Sequence, residues 1–319
     1  MRVLVVTNLQ PDEVTPQRGR WVMDQVDELR RLGVEIEVFS FAMGRREYVP
    51  ATRRLRRRLA RESYDLVHAH YGLAGVCARV AGARPLLVTF HGTDVRHPVV
   101  GAMSRRLARG ADLCAAVSRA LFEDEGGRPG LPTPPGRSAV LPCGPDLRRF
   151  RPLPRREARE RLGLDPERPF LLFPANPIRA EKRHDRAVAL AAACGAALET
   201  GGHVAPDEMP LWLNAASAVL ITSVNEGFGM TCLEALSCGV PVLSTPEGIA
   251  PFALAGLPGC LVAPFDVEAW KPVAAGHLTD PDPRVAGASR ARAFSAERMA
   301  ARVLKAYEAV LGRGAAATA

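Results

Sequence analysis

The sequence predicts an α/β protein built from two doubly wound domains, and three observations support this. Short apolar segments alternate along the chain with segments whose apolar residues recur at helical spacing, as in strand–helix–strand units. The apolar segments end in polar loops, and ligands of open α/β sheets bind beside the carboxyl ends of strands. The chain has 319 residues, a length that suits two domains of about 150 residues each.

The composition is that of a globular protein with a sizeable core, because 47% of the residues are hydrophobic and 24% are charged. The net charge of +8 favours anionic partners such as nucleotide sugars or acidic lipid surfaces. Only 6% of the residues are aromatic, and they do not interleave with basic residues as in a platform that stacks bases. We therefore expect no nucleic-acid partner.

The cysteines predict a reducing compartment, because there are seven of them and none is spaced Cys-x-x-Cys. The apolar run after Met1 is too short for a signal peptide, and no apolar stretch approaches the ~20 residues of a membrane span. We expect a cytoplasmic protein, and peripheral attachment to the inner face of the membrane stays open.

The first domain begins with a strand at Arg2–Thr7, a loop at Asn8–Asp12 and a helix near Trp21 that ends at Gly33. The first loop has no Gly-x-Gly-x-x-Gly pattern, which argues against a dinucleotide-dependent dehydrogenase. Further strands are predicted at Val34–Phe41, Leu66–Ala69, Leu86–Phe90 and Ala111–Ser118.

Ala51–Ser63 is predicted to be a basic helix, with Leu55 and Leu59 four residues apart among six arginines. Such a helix can lie on an anionic membrane. It can equally be a solvated helix face, and the thin apolar stripe favours this interpretation.

The second domain is predicted to contain strands at Pro169–Pro174, Ala218–Ile221, Val240–Ser244 and Cys260–Val262. A helix is expected at Pro206–Asn214. Between Lys182 and His203 there is room for only one further strand, at Ala196–Thr200.

The most informative stretch is Ser223–Leu236, which carries Glu226-Gly-Phe-Gly229 between a buried strand and a helix beginning at Met230. Glycines let the backbone approach a ligand closely because they have no Cβ. The free N–H groups of the helix start favour a phosphate. Glu226 lies on the turn, and Glu234 lies about two helical turns further on.

This stretch, followed by Cys238–Val242, resembles the signature of the retaining, nucleotide-sugar-dependent glycosyltransferases of family 4. Several other segments are similar to that family, including Tyr64–Gly72, His91–Asp94 and Val140–Pro152. The loop after Phe173 resembles the teichuronic acid-type branch most. The resemblance implies the GT-B fold, with two Rossmann-like domains facing a cleft and the second domain shortened.

The implied division places an acceptor-side domain at 1–152, a nucleotide-sugar-binding domain at 153–296 and a helix returning to the first domain at 297–319. The resemblance also implies the site. The residues expected to carry catalysis are His91, Glu226, Arg179 and Lys182. Those expected to bind the donor are Gly19, Gly227, Phe228, Gly229, Met230 and Glu234. Those expected on the acceptor side are His70 and Asp94.

In this scheme Arg179 and Lys182 bind the donor diphosphate without a metal or other cofactor. Arg179 is displaced from the family's usual arginine position, where Asn176 or Pro177 stands. Glu226 holds the donor sugar and Glu234 the ribose, whereas His91 approaches the acceptor.

The implied reaction moves a sugar from a nucleoside-diphosphate sugar to an acceptor hydroxyl with retention, in the synthesis of a cell-surface polysaccharide or glycoconjugate. The acceptor class stays open between a sugar, a lipid-linked sugar and a small molecule. The alternative is a catalytically degenerate sugar-nucleotide-binding or partner protein, because family members usually have one more strand–helix unit after Lys182. A GT-B epimerase or phosphorylase fits less well.

Overall fold

The computed structural model describes residues 1–9, 18–124, 127 and 129–317, so most of the predicted loop at Asn8–Asp12 lies outside the described residues. The chain forms two compact units. The first contains Arg18–Cys143, the described residues before them and the C-terminal segment from Ala296. The second contains Gly144–Ser295. Each unit is an α/β sandwich around a parallel sheet, as the sequence predicts.

The sheet of the first unit has the strand order β2-β1-β3-β4-β5-β6, and every pairing is parallel. Its strands are β1 (Arg2–Thr7), β2 (Glu35–Ser40), β3 (Leu66–His70), β4 (Leu86–Phe90), β5 (Leu113–Ala116) and β6 (Ser138–Val140). The three strands β3, β4 and β5 are buried throughout, as expected of a sheet with helices on both faces. Neighbouring strands in this order end at one edge, so their terminal loops lie together.

The helices of the first unit are α1 (Arg20–Arg31), α2 (Tyr48–Leu59), α3 (Gly72–Ala81), α4 (Thr93–Arg96), α5 (Pro98–Gly110) and, at the end of the chain, α13 (Ala296–Ala317). A 3-10 turn follows β5 at Arg119–Phe122. Helix α13 packs on α1, and its apolar residues complete the core formed with β1 and β3. Tyr307, for example, is fully buried in that core.

Helix α2 uses its apolar residues inside the fold. Ala51 and Leu55 are fully buried, and the helix packs against α3. Arg53, Arg54 and Arg57 lie on its exposed face. This arrangement matches the solvated-face interpretation of the basic helix, because the apolar stripe is not available to insert into lipid.

The sheet of the second unit has the order β11-β10-β9-β7-β8, and it too is parallel. Its strands are β7 (Phe170–Phe173), β8 (Ala197–Thr200), β9 (Ala218–Ile221), β10 (Val242–Ser244) and β11 (Leu261–Val262). Its helices are α6 (Arg155–Arg161), α7 (His184–Ala193), α8 (Met209–Ala215), α9 (Met230–Ser237), α10 (Ala250–Leu254), α11 (Val267–Thr279) and α12 (Ala288–Arg292), with a 3-10 turn at Ala180–Lys182.

The two units divide between Cys143 and Gly144, whereas the division is predicted from the sequence near Pro152. A Cβ on Gly144 would lie 1.7 Å from the carbonyl oxygen of Phe294. The segment that enters the second unit and the segment that leaves it therefore run side by side in close contact. Helix α13 begins directly after this contact and belongs to the first unit.

Most predicted strands are present, with ends shifted by a few residues. Strand β6 was not predicted, because it is a three-residue edge strand without a buried apolar run. Helix α7 was not predicted either, since its alanine-rich sequence has a weak amphipathic pattern. Among the described residues, no helix combines the length and apolar composition needed to cross a membrane.

Candidate active site

An ion pair joins two loops at the carboxyl ends of neighbouring strands in the second unit. Lys182 follows β7 and Glu226 follows β9, and these strands are adjacent in the sheet. The Lys182 ammonium donates to Oε1 of Glu226 at 2.6 Å, and the two side chains are only 14% and 12% exposed. Because the pair is shielded from solvent, its mutual attraction is screened much less than that of a surface pair.

Further hydrogen bonds hold these two loops together. The Ser223 hydroxyl donates to the same oxygen, Oε1 of Glu226, at 2.7 Å. The Thr222 hydroxyl contacts the carbonyl oxygens of Lys182 and Arg183, both at 2.9 Å. The Val224 N–H donates to the Glu181 carbonyl at 2.9 Å. The Glu226 carboxylate is thus anchored through one oxygen.

The turn after Glu226 leads into helix α9. Gly229 has a φ of 83° and occupies the N-cap position, a conformation that favours glycine. Glycine has no side chain to cap the helix, and the Cys232 N–H donates to the Gly229 carbonyl at 3.1 Å. The N–H groups of Met230 and Thr231 therefore remain as the donors at the start of α9 that suit an anion. Phe228 is buried against Phe294, with ring centroids 6.0 Å apart.

A third loop, which follows β10, packs against this turn. A Cβ on Gly248 would lie 2.5 Å from the Phe228 carbonyl oxygen and 3.0 Å from Cβ of Glu226. The Ile249 N–H donates to that same carbonyl at 2.7 Å. Gly248 was not among the predicted site residues, although a glycine in the loop after a predicted strand is a signal for a close backbone approach.

Of the other residues expected to bind the donor, Gly227 lies on the turn and Glu234 lies half-buried within α9. Arg179 lies on the β7 loop near Lys182, and its guanidinium pairs with Glu181 at 2.6 Å. Both side chains of this pair are about half exposed, so the pair is weak and its partners can be exchanged.

Gly19 lies in the first unit at the N-cap of α1, with a φ of 71°. A Cβ there would lie 1.9 Å from the Leu9 carbonyl oxygen. The start of α1 is therefore pressed against the segment that follows β1, and no other residue fits this position without displacing the backbone. The first turn of α1 carries Trp21, whose ring centroid lies 6.0 Å from that of His91.

Three histidines form a row that runs from the middle of β3 to the loop after β4. His91 is half-buried, and its Nε2 lies 3.1 Å from Nδ1 of the buried His70. The His70 ring packs against that of His68, with centroids 4.1 Å apart and ring planes tilted by 34°. His68 itself is bound at both nitrogens, by the hydroxyls of Tyr307 and Thr89 at 2.8 Å each.

Asp94 holds the loop that carries His91. Its Oδ1 accepts the N–H groups of His91 and Gly92, and its Oδ2 accepts the N–H of Gly72 at 2.9 Å. The carboxylate is completely buried. Asp94 therefore ties the loop after β4 to the loop after β3.

Loss of hydration keeps the histidine row uncharged. Burial lowers the pKa of His68 to about 3 and that of His91 to about 4, and it holds the pKa of His70 well below its usual value. Burial also raises the pKa of Asp94 to about 6, although the backbone N–H groups that it accepts act in the opposite direction. The site in the first unit thus offers neutral hydrogen-bonding groups near pH 7.

Two family models match the chain. The model described as Glycosyltransferase Family 4 matches residues 41–149. The model described as Glycosyl transferases group 1 matches residues 176–280. The first match contains the histidine row, and the second contains the Lys182–Glu226 pair.

Curated relatives include D-inositol 3-phosphate glycosyltransferases. The chain is 30% identical to the one from Mycobacterium avium over 73% of its own length and 65% of that relative's length. It is also 30% identical to the one from Xylanimonas cellulosilytica, over 73% of its own length and 68% of the relative's. The chain thus spans about two thirds of the length of these relatives.

A third relative is matched over nearly its full length. The putative teichuronic acid biosynthesis glycosyltransferase TuaC of Bacillus subtilis is 26% identical, over 87% of the chain and 92% of that protein. This match confirms the predicted resemblance to the teichuronic acid-type branch.

Solved structures share the fold at low sequence identity. Sucrose-phosphate synthase from Thermosynechococcus elongatus has a TM-score of 0.76 and 18% identity, covering 98% of this chain and 99% of that one. HepE of Anabaena, in complex with UDP and glucose, has a TM-score of 0.72 and 16% identity, covering 97% and 99%. The predicted GT-B fold of two parallel-sheet α/β domains is confirmed.

Proposed function

Because the chain belongs to glycosyltransferase family 4, we propose that it transfers a sugar from a nucleoside-diphosphate sugar to an acceptor hydroxyl with retention of anomeric configuration. The observation that carries this proposal is the shielded pair of Lys182 and Glu226 beside the start of α9. The Lys182 cation and the first N–H groups of α9 suit the diphosphate of such a donor, and the anchored Glu226 carboxylate suits its sugar hydroxyls.

The charge that develops during transfer falls on the leaving diphosphate. The bond between the anomeric carbon and a phosphate oxygen breaks, and its electron pair stays on that oxygen. The acceptor hydroxyl oxygen forms the new bond to the anomeric carbon on the same face, and its proton passes to the leaving phosphate oxygen. Lys182, Arg179 and the N–H groups at the start of α9 stabilise this charge, so that no metal is required. Lys182 leaves Glu226 and Arg179 leaves Glu181 as the diphosphate binds.

Glu226 is free to hold the sugar once Lys182 has turned to the phosphate. Ser223 still anchors Oε1, and the carboxylate accepts hydroxyl groups of the sugar. Glu234 accepts hydrogen bonds from the ribose. In the first unit, His91 contacts the acceptor or the transferred sugar, Gly19 allows close approach of the backbone, and Asp94 and His70 support the loop of His91 from beneath.

UDP is the first nucleotide to test, because the similar HepE structure holds UDP and glucose. A role in cell-surface polysaccharide synthesis is supported by the similarity to TuaC, whose name places it in teichuronic acid biosynthesis.

The alternative function is that of a sugar-nucleotide-binding or partner protein without turnover. The specific observation in its favour is the five-stranded second sheet, in which a single unit, α7 and β8, lies between Lys182 and His203. A binding measurement followed by a turnover measurement separates the two functions.

A thermal-shift screen against UDP, GDP, ADP, CDP and dTDP in the presence of EDTA tests the donor site. A ligand that binds only the native state stabilises it by about 2.7 kcal/mol at a hundredfold excess over its dissociation constant. We expect one nucleotide to raise the Tm of the wild type and of Lys271→Met, a control at an exposed lysine of α11, but not of Lys182→Met.

A shift that survives in Lys182→Met would contradict the assigned site. Binding without release of nucleoside diphosphate from any sugar nucleotide would favour the alternative function. The absence of a shift with all five nucleotides would contradict both functions that rest on a donor site.

A further inference from the structure

His70 lies directly behind His91. It is the last residue of β3 and is 1% exposed. Its Nδ1 lies 3.1 Å from Nε2 of His91, and the two ring centroids are 5.3 Å apart. The ring of His68 packs against the ring of His70. This packing holds the His70 ring in place. One nitrogen of the candidate substrate-contacting histidine is therefore already occupied by a buried partner.

The second ring nitrogen of His70 is the unusual feature of this row. Within the described part of the chain, Nε2 of His70 is buried and has no hydrogen-bond partner. By contrast, His68 has both of its nitrogens bound to hydroxyl groups. A buried polar atom without a hydrogen-bond partner destabilises the folded state. The size of this loss depends on whether the nitrogen carries a hydrogen.

Two arrangements of hydrogens satisfy the contact between the two neutral rings. In the first, His70 Nδ1–H donates to His91 Nε2, which leaves His70 Nε2 as a bare lone pair and puts the hydrogen of His91 on Nδ1. In the second, His91 Nε2–H donates to His70 Nδ1, which leaves a buried, unpaired N–H on His70. Orphaned buried N–H groups are the rarer of the two in proteins, so the first arrangement is favoured.

We propose that His70 is a positioning residue that fixes His91 as the tautomer protonated on Nδ1, so that His91 presents an N–H donor to a substrate oxygen. The substrate assignment rests on the proposed glycosyl transfer, whereas the tautomer assignment does not. His91 then acts by donating a hydrogen bond to a sugar, acceptor or phosphate oxygen. It does not remove the proton of the acceptor hydroxyl, because no lone pair of His91 faces the substrate.

Nitrogen-15 NMR of the histidine rings tests the tautomer without reference to activity. The His91 signals are assigned by comparing wild type with His91→Gln, and the exposed His203→Asn serves as a control for the assignment. We expect the wild-type His91 to carry its hydrogen on Nδ1. A wild-type His91 protonated on Nε2 would overturn the proposal.

Two substitutions at His70 give opposite outcomes. His70→Asn keeps an N–H donor close to the position of Nδ1, so the His91 tautomer should be unchanged. His70→Asp supplies only an acceptor when ionised, so the hydrogen of His91 should move to Nε2. An unchanged tautomer in a folded His70→Asp variant would contradict the proposal, and the wild-type spectrum decides the matter if that variant does not fold.

Activity provides the second readout. In His70→Asn, kcat should stay within about twofold of wild type. In His70→Phe, a ring that can neither donate nor accept, kcat should fall about tenfold while the KM of the donor changes little, because the donor pocket lies in the other unit. Equal kcat in His70→Phe and wild type would contradict the positioning role. If no transfer is detected with any donor, the proposed function fails, and the NMR result still decides the tautomer.

Discussion

The Lys182 ammonium and the Glu226 carboxylate lie 2.6 Å apart and are almost enclosed. Without a donor, each neutralises the other. In the proposed function a donor diphosphate competes with Glu226 for Lys182, so that donor binding exchanges one partner of the lysine for another. The same exchange would free the carboxylate for the sugar. On this proposal, the strength and geometry of the pair govern both donor affinity and sugar positioning.

Ser223→Ala should reduce kcat/KM about tenfold while leaving the fold intact. The Ser223 hydroxyl bonds Oε1 of Glu226 at 2.7 Å, and a hydrogen bond to a charged group is worth roughly 1.5–3 kcal/mol. Steady-state kinetics with the identified donor measures the effect. The matched control is Ser237→Ala. The Ser237 hydroxyl donates to the Leu233 carbonyl oxygen, and both residues lie in α9. Equal losses in both variants would show that Ser223 acts only through stability.

Glu181→Gln should tighten binding of the nucleoside diphosphate roughly two- to fivefold. Glu181 pairs with Arg179 at the surface, and breaking a surface pair of this kind costs up to about 1 kcal/mol. Calorimetric titration measures the dissociation constant. Glu160→Gln, which removes a surface partner of Arg156 on α6, controls for the change in net charge. Weaker binding in Glu181→Gln would indicate that Glu181 supports the loop rather than competing for Arg179.

Alanine at the two ends of α1 should have unequal effects on stability. Gly33→Ala places a Cβ in open space at a φ of 83°, so only the left-handed conformation costs energy, about 1–2 kcal/mol. Gly19→Ala adds an overlap with the Leu9 carbonyl oxygen at 1.9 Å, which raises the expected loss to about 3 kcal/mol or more. Denaturant unfolding of the two variants checks this order. Equal losses would contradict the close contact between Gly19 and the Leu9 carbonyl oxygen.

The first unit should lose stability as the pH falls below about 6.5. His68 and His91 have native pKa values of about 3 and 4, His70 also lies well below its usual value, and all three titrate near 6.5 when unfolded. Between these limits the unfolded state binds more protons, so acid favours unfolding. Asp94, with a native pKa of about 6, makes stability rise as the pH falls. The three histidines together outweigh this single opposing group.

The expected net slope between pH 6 and pH 4.5 is about 2–3 kcal/mol per pH unit, since each uncompensated proton contributes about 1.4 kcal/mol per unit. Hydrogen exchange at several pH values locates the effect in the first unit, and the exposed His203→Asn serves as the control. A stability that does not change over this interval would show that the histidine row is already charged in the native protein.

The sequence predicted the elements that place the site, because buried parallel strands are continuous apolar runs and because Gly229 and Gly33 mark the ends of helices. The sequence also predicted that Lys182 and Glu226 both belong to the donor site. Their ion pair was not predictable, since the order β9-β7 in the sheet decides which loops meet.

Other features depend on packing that the sequence alone does not specify. The His91–Asp94 motif is the same in sequence whether Asp94 contacts a ligand or anchors a loop. Only the complete burial of Asp94 in the structure indicates that it anchors the loop. The partners of His68 come from Thr89 and from Tyr307, which is 239 residues away along the chain. Gly248 gains its importance only from the approach of Phe228.

The release of nucleoside diphosphate from the sugar nucleotide identified by the thermal-shift screen is the most direct test of the proposed function. Wild type and Glu226→Gln should be compared, since the amide keeps the shape of Glu226 but removes its charge. We predict turnover by the wild type and a loss of at least about a hundredfold in a folded Glu226→Gln variant that still binds the nucleotide. Equal turnover by the two proteins would contradict the assigned role of Glu226, and the absence of turnover by the wild type would contradict the proposed enzyme.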